Sequence, residues 1–219
     1  MLGTHKPALS NPLLALSRRR RVVTNLNLKR RGAPGSGCQA STFVQPTHPV
    51  SLAESMRVPF PTREELRTRG TRKEAIAELY DLWLVAHSEA MDLAARLPDV
   101  FGDPPRPRVT LHVARGYDDE WFLSDERVAE LAALDPEQHW TEVSAEATRQ
   151  IQEYFTFSDA EGWRFYLPAF LRHYLADFPL CGWDAVHTAC QTREHFELIT
   201  EPQVAFIDEF LALCQTWDA

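Results

Sequence analysis

The chain has 219 residues, 44% of them hydrophobic and 25% charged, and a net charge of −8. Those proportions are those of ordinary globular proteins. They exclude a fibrous or low-complexity chain, and no apolar run approaches the roughly 20 residues that a membrane-spanning helix needs.

The charge is unevenly spread. Residues 1–55 carry eight Lys and Arg against Glu54 alone, a local charge of +7, whereas residues 56–219 carry 15 basic and 30 acidic residues, a charge of −15. The first segment is rich in Arg, Ser, Thr, Pro and Gly and has a single aromatic residue, Phe43. Such a segment cannot bury enough surface to offset its ordering entropy, so a disordered basic tail is expected over 1–55. Three readings of it stand. Arg18–Arg21 and Lys29–Arg31 suit electrostatic nucleic-acid binding, so a nucleic-acid partner is expected only if the tail is genuine. The acid-poor composition suits an organelle transit peptide. Alternatively Met56 is the true start. Gly32-Ala33-Pro34-Gly35-Ser36-Gly37 has phosphate-loop glycine spacing, but Cys38 and Gln39 stand where Lys and Ser/Thr are required, so that motif is rejected.

From residue 57 onward the pattern is helical. Thr71-Arg72-Lys73-Glu74 has the form of a capping box. Behind it Ile76, Leu79, Trp83, Ala86, Ala90, Leu93, Ala94 and Leu97 recur at steps of three and four, predicting a long helix with one buried face that ends at Pro98. Val109–Val113 alternates like a strand. A lone strand would leave its backbone unpaired, so a short helix from Arg108 to Tyr117 is preferred. Ser124 is expected to cap a helix carrying Val128, Leu131 and Leu134. Asp135-Pro136 is expected to open a turn reaching Trp140. Ser144 starts a helix with Ala147, Ile151, Tyr154 and Phe155 on one side.

Ser158–Glu161 is a second capping box. The helix behind it should break before Pro168, which lacks an N–H and disfavours helical angles at Leu167, and a new helix should start at the proline. Six aromatic residues between Trp163 and Phe178 mark this stretch as the centre of the core. Asp184 opens a short helix with Val186 and Cys190 buried. Thr200-Glu201-Pro202-Gln203 opens the last helix, carrying Val204, Ile207, Leu211 and Cys214. The expected fold is all-α: one compact domain over 57–219 with about six to eight helices.

Asp118-Asp119-Glu120-Trp121, Trp140-Thr141-Glu142-Val143, Phe155–Asp159 and Arg164-Phe165-Tyr166-Leu167-Pro168-Ala169-Phe170 occur in that order. Together they resemble a bacterial family of small helical proteins, a domain-of-unknown-function group with a W-x-x-[VI], F-x-F, RFYLPAF pattern. The resemblance covers roughly residues 71–215 and implies no activity, cofactor or catalytic residue.

Chemistry-bearing constellations are sparse. Cys181, His187, Cys190, His195 and Cys214 gather near the end, but only His187 and Cys190 have metal-ligand spacing, so packing is the preferred reading and neither metal nor cofactor is expected. The four cysteines form no CxxC pair, which suits a reducing cytoplasm. Neither G-x-S-x-G nor HExxH occurs. Asp118 and Asp119 begin an acidic run without the pattern of a calcium loop. Arg164 and Arg172 suit either an anionic ligand or an internal ion pair, the latter being preferred. His173 lies beside the aromatic stripe. The expected function is a cytoplasmic protein-interaction module, an adaptor or immunity-like binder of a basic protein, with no membrane partner. The ligand or partner surface is expected among Arg164, Tyr166, Arg172, His173, Asp118 and Asp119. The alternative is an enzyme with a cleft near Arg164, Tyr166 and His173.

Overall fold

The computed structural model describes residues 58–217. The basic segment 1–55, with its arginine runs and its glycine-spaced stretch, lies outside the described residues. Within them every regular element is helical and no strand occurs, as the periodicity predicts. No described helix is long and apolar enough to cross a membrane.

Helix α1 (Arg63–Thr68) opens on a capping box. Thr62 Oγ1 accepts from the Glu65 amide at 3.2 Å, and the Glu65 carboxylate accepts from the Thr62 amide at 2.7 Å. The box expected at Thr71 does not form: α2 (Lys73–Ala94) begins after Arg72 without a side-chain cap. The Thr71 amide instead donates to Leu66 O at 3.1 Å, which commits that residue to the turn between α1 and α2. The buried face of α2 holds the predicted Ile76, Leu79, Trp83, Ala86, Ala90 and Leu93, while Ala94 is half-buried and the helix ends before Leu97, which is buried in the next one. Pro98 does not simply stop α2. It sits in the first turn of α3 (Leu97–Phe101), where a missing N–H forfeits nothing.

The Val109–Val113 stretch forms no strand: Leu111–Val113 open a helix, α4 (Leu111–Asp119), starting three residues after Arg108, while Val109 and Thr110 lie ahead of it. Ser124 caps α5 (Asp125–Ala132) as expected, its Oγ accepting from the Arg127 amide at 3.2 Å. Leu134 falls beyond the end of α5 and is exposed rather than buried. A 3₁₀ turn (Trp140–Glu142) leads to α6 (Ala145–Gln150), capped by Ser144. The single helix expected from Ser144 to Phe155 is interrupted at Ile151, where ψ is 67°, and resumes as the short α7 (Tyr154–Phe157).

The centre of the domain is α8 (Ala160–Asp177), which is unbroken with Pro168 inside it. Its cap is Asp159, one residue later than expected. The continuity has an energetic reason. A proline in a helix interior costs about 3 kcal/mol. Here Phe165, Tyr166, Leu167, Phe170 and Leu171 are all 0% exposed, and each large apolar side chain gains about 1.5–3 kcal/mol by burial. Breaking the helix would forfeit several of those burials to recover one hydrogen bond. All six rings from Trp163 to Phe178 are interior.

Helix α8 packs against α2, α3, α6, the 3₁₀ turn and α9 (Ala185–Thr192). The final helix, α10 (Glu201–Trp217), packs on α2, α3 and α9. The half of its capping box that forms is Gln203 Oε1 accepting from the Thr200 amide at 2.9 Å. Helix α4 rests on α5 and α7, so its C-terminal end is carried to the surface.

Candidate functional site

Two local rules fail at neighbouring residues, and they fail at the end of α4. A helix C-terminus carries partial negative charge and favours cations in its last turn. The last turn of α4 has no basic residue and ends on Asp118 and Asp119. Neither aspartate makes an ion pair or side-chain hydrogen bond among the described residues. Immediately beyond, Trp121 is 107% exposed and Phe122 82%, although large aromatic side chains are the residues a fold gains most from burying. Tyr117, in the same last turn, is also exposed. Tyr117, Asp118, Asp119, Glu120 and Trp121 line a cavity of about 300 Å³.

This acidic and aromatic loop is braced. Leu123 is buried directly behind it, and Ser124 anchors the start of α5. Glu120 accepts two hydrogen bonds from Arg127, both at 3.0 Å, and Arg127 also reaches Glu130 at 3.2 Å. Arg108 pairs with Asp125 at 2.5 Å. Helices α4 and α5 approach so closely that a Cβ on Gly116 would lie 2.5 Å from Leu131 Cδ1 and 3.2 Å from Leu123 Cδ1. Gly116→Ala forces the Leu131 side chain to move, an overpacking cost of about 1–3 kcal/mol that the better helix propensity of Ala offsets by about 1 kcal/mol, so a net loss of about 1 kcal/mol is expected. Denaturant unfolding measures this, and a loss below about 0.5 kcal/mol would show the contact to be slack.

A family model described as a family of unknown function, DUF6714, matches residues 89–218. The chain belongs to that family. The matched region holds the loop and all of α8, and leaves residues 1–88 outside. No curated protein and no solved structure matches the chain.

The other expected site residues of this DUF6714 member are scattered. Arg172 donates to Thr141 O at 2.6 Å and Val143 O at 2.8 Å, and its guanidinium lies 5.7 Å from the centroid of the Trp140 ring. His173 Nε2 donates to the same Val143 carbonyl at 2.8 Å. These two residues do meet, and together they fasten the 3₁₀ turn to α8. Arg164 is half-buried and, like Arg172, which binds carbonyls instead, has no ion pair among the described residues, contrary to the preferred reading for both. Tyr166 is wholly buried and its hydroxyl has no hydrogen-bond partner. Helical geometry sets Tyr166 and His173 about 10 Å apart along the axis and puts Arg164 on the opposite side from His173. The fold therefore does not bring Arg164, Tyr166 and His173 to one cleft.

Burial pushes the His173 imidazole below its usual range. Its folded pKa is thus lower than its unfolded value, and the unfolded chain takes up the proton first as pH falls. Stability is fully present above about 6.5 and is lost progressively as pH drops toward the lower folded value. His173→Gln keeps a donor for Val143 O and removes the titration. Its melting temperature is expected to fall less than that of the parent between about pH 7 and pH 5. Parallel slopes in thermal melts would contradict this.

A second group, which sequence reasoning did not assemble, is built around Asp135. Asp135, 2% exposed, accepts from the His112 amide at 2.8 Å and faces His112 Nδ1 at 2.6 Å. It was expected to cap its own turn, but it supplies the missing acceptor at the start of α4, since Thr110 makes no side-chain cap there. Arg106 gathers three carbonyls, Ala132 at 2.9 Å, Asp135 at 2.6 Å and Glu137 at 2.9 Å. Glu137 is partly buried, and desolvation raises its pKa.

The sulfur-bearing residues serve the core. Cys190 is fully buried and Cys214 nearly so, while Cys181 donates to Tyr174 O at 3.3 Å. Burial pushes the Cys181 thiol up to about 12 and that of Cys214 up to about 11, so thiolate chemistry is disfavoured at both. His187, three residues from Cys190, packs its ring against Phe210. Among the described residues no three His, Cys, Asp or Glu side chains converge on a metal position.

Proposed function

We propose that the chain is a protein-interaction module that receives a basic protein partner on the acidic and aromatic end of α4. One observation carries the reading: unpaired aspartates at a helix C-terminus stand beside a fully exposed Trp121. Each feature is unfavourable for the isolated chain, and violations of local rules concentrate where function requires them. A Lys or Arg side chain seated between Tyr117 and Trp121 would meet the two carboxylates, the negative end of the helix dipole and aromatic faces at once. Trp121 and Phe122 would supply the apolar centre that stable interfaces need. The charge of −15 on residues 56–219 would steer a basic partner toward the domain and turn acidic ones away. The bracing by Leu123, Ser124 and Arg127 reduces the entropy lost on docking. We place the module in the cytoplasm, a setting that suits its free thiols Cys181, Cys190 and Cys214.

The test is affinity capture with the full chain and with an Asp118→Asn/Asp119→Asn variant. A basic protein retained by the parent at low salt should be lost from the variant, and retention should weaken as ionic strength rises toward about 0.5 M. Equal retention by both, or retention of acidic proteins only, would refute the reading.

A further inference from the structure

Among the described residues Glu137 is the one acid with a buried carboxyl oxygen that no donor meets. It is half-buried in the turn that follows α5, and its Oε2 is shielded from solvent without a hydrogen-bond partner. An ionised oxygen in that position is costly, because a carboxylate that leaves water needs donors to replace it.

The groups around Glu137 do not supply a donor. Arg106, on the segment before α4, commits its Nε and Nη2 donors to the carbonyls of Ala132, Asp135 and Glu137 itself, so the backbone of the turn takes the guanidinium and the carboxyl does not. His112, on α4, faces Asp135 with its Nδ1. Asp135, in the same turn, is a second acid and is buried. Tyr166, on α8, has a buried hydroxyl without a partner. Burial, with the charges of Asp135 and Glu137 added, pushes its phenol up, so it stays neutral. Other charges on these segments are taken: His139 pairs with Asp103, Arg108 with Asp125 and Arg115 with Glu153. One negative charge is accommodated, that of Asp135, and the ligand that suits Glu137 is a proton. Desolvation pushes the Glu137 carboxyl above its usual range and the Asp135 charge adds to this, against the pull of its own amide, Arg106 and His112.

Ionisation of Glu137 has a route to α4. The turn is closed by the Glu137 carbonyl on Arg106 and by Asp135 on the His112 amide, and Thr110, at the N-cap position, makes no side-chain cap of its own. A second negative charge near Asp135 repels it. The new carboxylate reaches donors only by turning out to water or by drawing Arg106 off the carbonyls. Either movement loosens the hold of Asp135 on the start of the helix.

We propose that Glu137 is a proton-operated latch on α4: protonated, it lets the turn close over Arg106 and keeps Asp135 on the His112 amide; ionised, it opens the turn and frees the start of the helix. The latch is a property of the fold and stands whatever binds at the end of α4. Folded Glu137 holds its proton more tightly than the unfolded chain does. Its contribution to stability is therefore complete below about pH 4.3 and is lost as pH rises through the higher folded value, opposite in sign to that of His173.

Nuclear magnetic resonance of the full chain between about pH 3.5 and pH 8 tests it. The Glu137 side-chain carboxyl carbon should titrate with a midpoint above about 4.3, and the Ala114 amide should shift with the same midpoint. Above that midpoint the protection of the His112 and Ala114 amides from hydrogen exchange, corrected for the intrinsic effect of pH, should drop about tenfold for each unit by which the midpoint is raised. Glu137→Gln carries no charge at any pH. It should abolish the shared step and keep both amides protected across the range. A Glu137 midpoint at or below about 4.3, or a loss of protection that Glu137→Gln leaves unchanged, would overturn the proposal.

Discussion

Asp135→Ala should remove about 3 kcal/mol or more of stability. The carboxylate is 2% exposed and holds both the backbone amide and the ring nitrogen of His112. Its deletion leaves two donors at the start of α4 without an acceptor. The orphaned amide costs about 1–3 kcal/mol, while the ring nitrogen, on a side chain 35% exposed, is partly served by water. Against a total stability of about 5–15 kcal/mol for a domain, the loss is severe. Urea unfolding measures it directly, and an unchanged slope with denaturant would show that the loss is one of stability and not of compactness. His112→Ala should be milder, because the backbone amide it retains still satisfies one carboxylate oxygen. A loss below about 1 kcal/mol for Asp135→Ala would mean that water replaces the carboxylate and that α4 has no need of this distant cap. Because α4 carries the Tyr117–Phe122 loop, the same substitution should also weaken partner binding.

Trp121→Ala should do the reverse, removing binding and leaving stability alone. A fully exposed side chain contributes within about 0.5 kcal/mol to folding. A tryptophan at the centre of an interface contributes about 2 kcal/mol or more to binding, roughly a thirtyfold change in affinity. Asp118→Lys with Asp119→Lys sharpens the contrast. Two cations in the last turn of α4 would complement the helix dipole, each adding about 0.3–1 kcal/mol of stability. The same change replaces attraction for a basic partner with repulsion, so binding should vanish as the melting temperature rises. Equilibrium unfolding and titration against the captured partner read the two effects separately. If the lysine variant were less stable than the parent, the aspartates would have a structural role, and the functional reading of the loop would lose its main support.

How much of this was legible beforehand differs from residue to residue. The buried face of α2 and the ring cluster of α8 were readable because burial there repeats at the helical period, which is a property of neighbouring residues. The acidic run Asp118-Asp119-Glu120 was visible as a charge cluster. Nothing near Trp121 signals that its ring lacks a cover, because a cover is supplied by whichever element happens to pack nearby. Capping boxes were a weaker guide. Thr62–Glu65 forms and Thr71–Glu74 does not, although both offer a threonine and a glutamate at the same spacing. The turn between α1 and α2 decided between them by taking the Thr71 amide.

The amino-acid order by itself set the helical class, the aromatic interior from Trp163 to Phe178 and the separation of basic from acidic segments, because periodicity, side-chain size and charge act over a few residues. Only the packed chain decided that Pro168 stays within a helix, that Asp135 caps a helix beginning 24 residues upstream of it, and that Trp121 is left in water. Those outcomes are competitions between a local preference and contacts among residues far apart in the chain, and the larger free energy, set by packing, prevails.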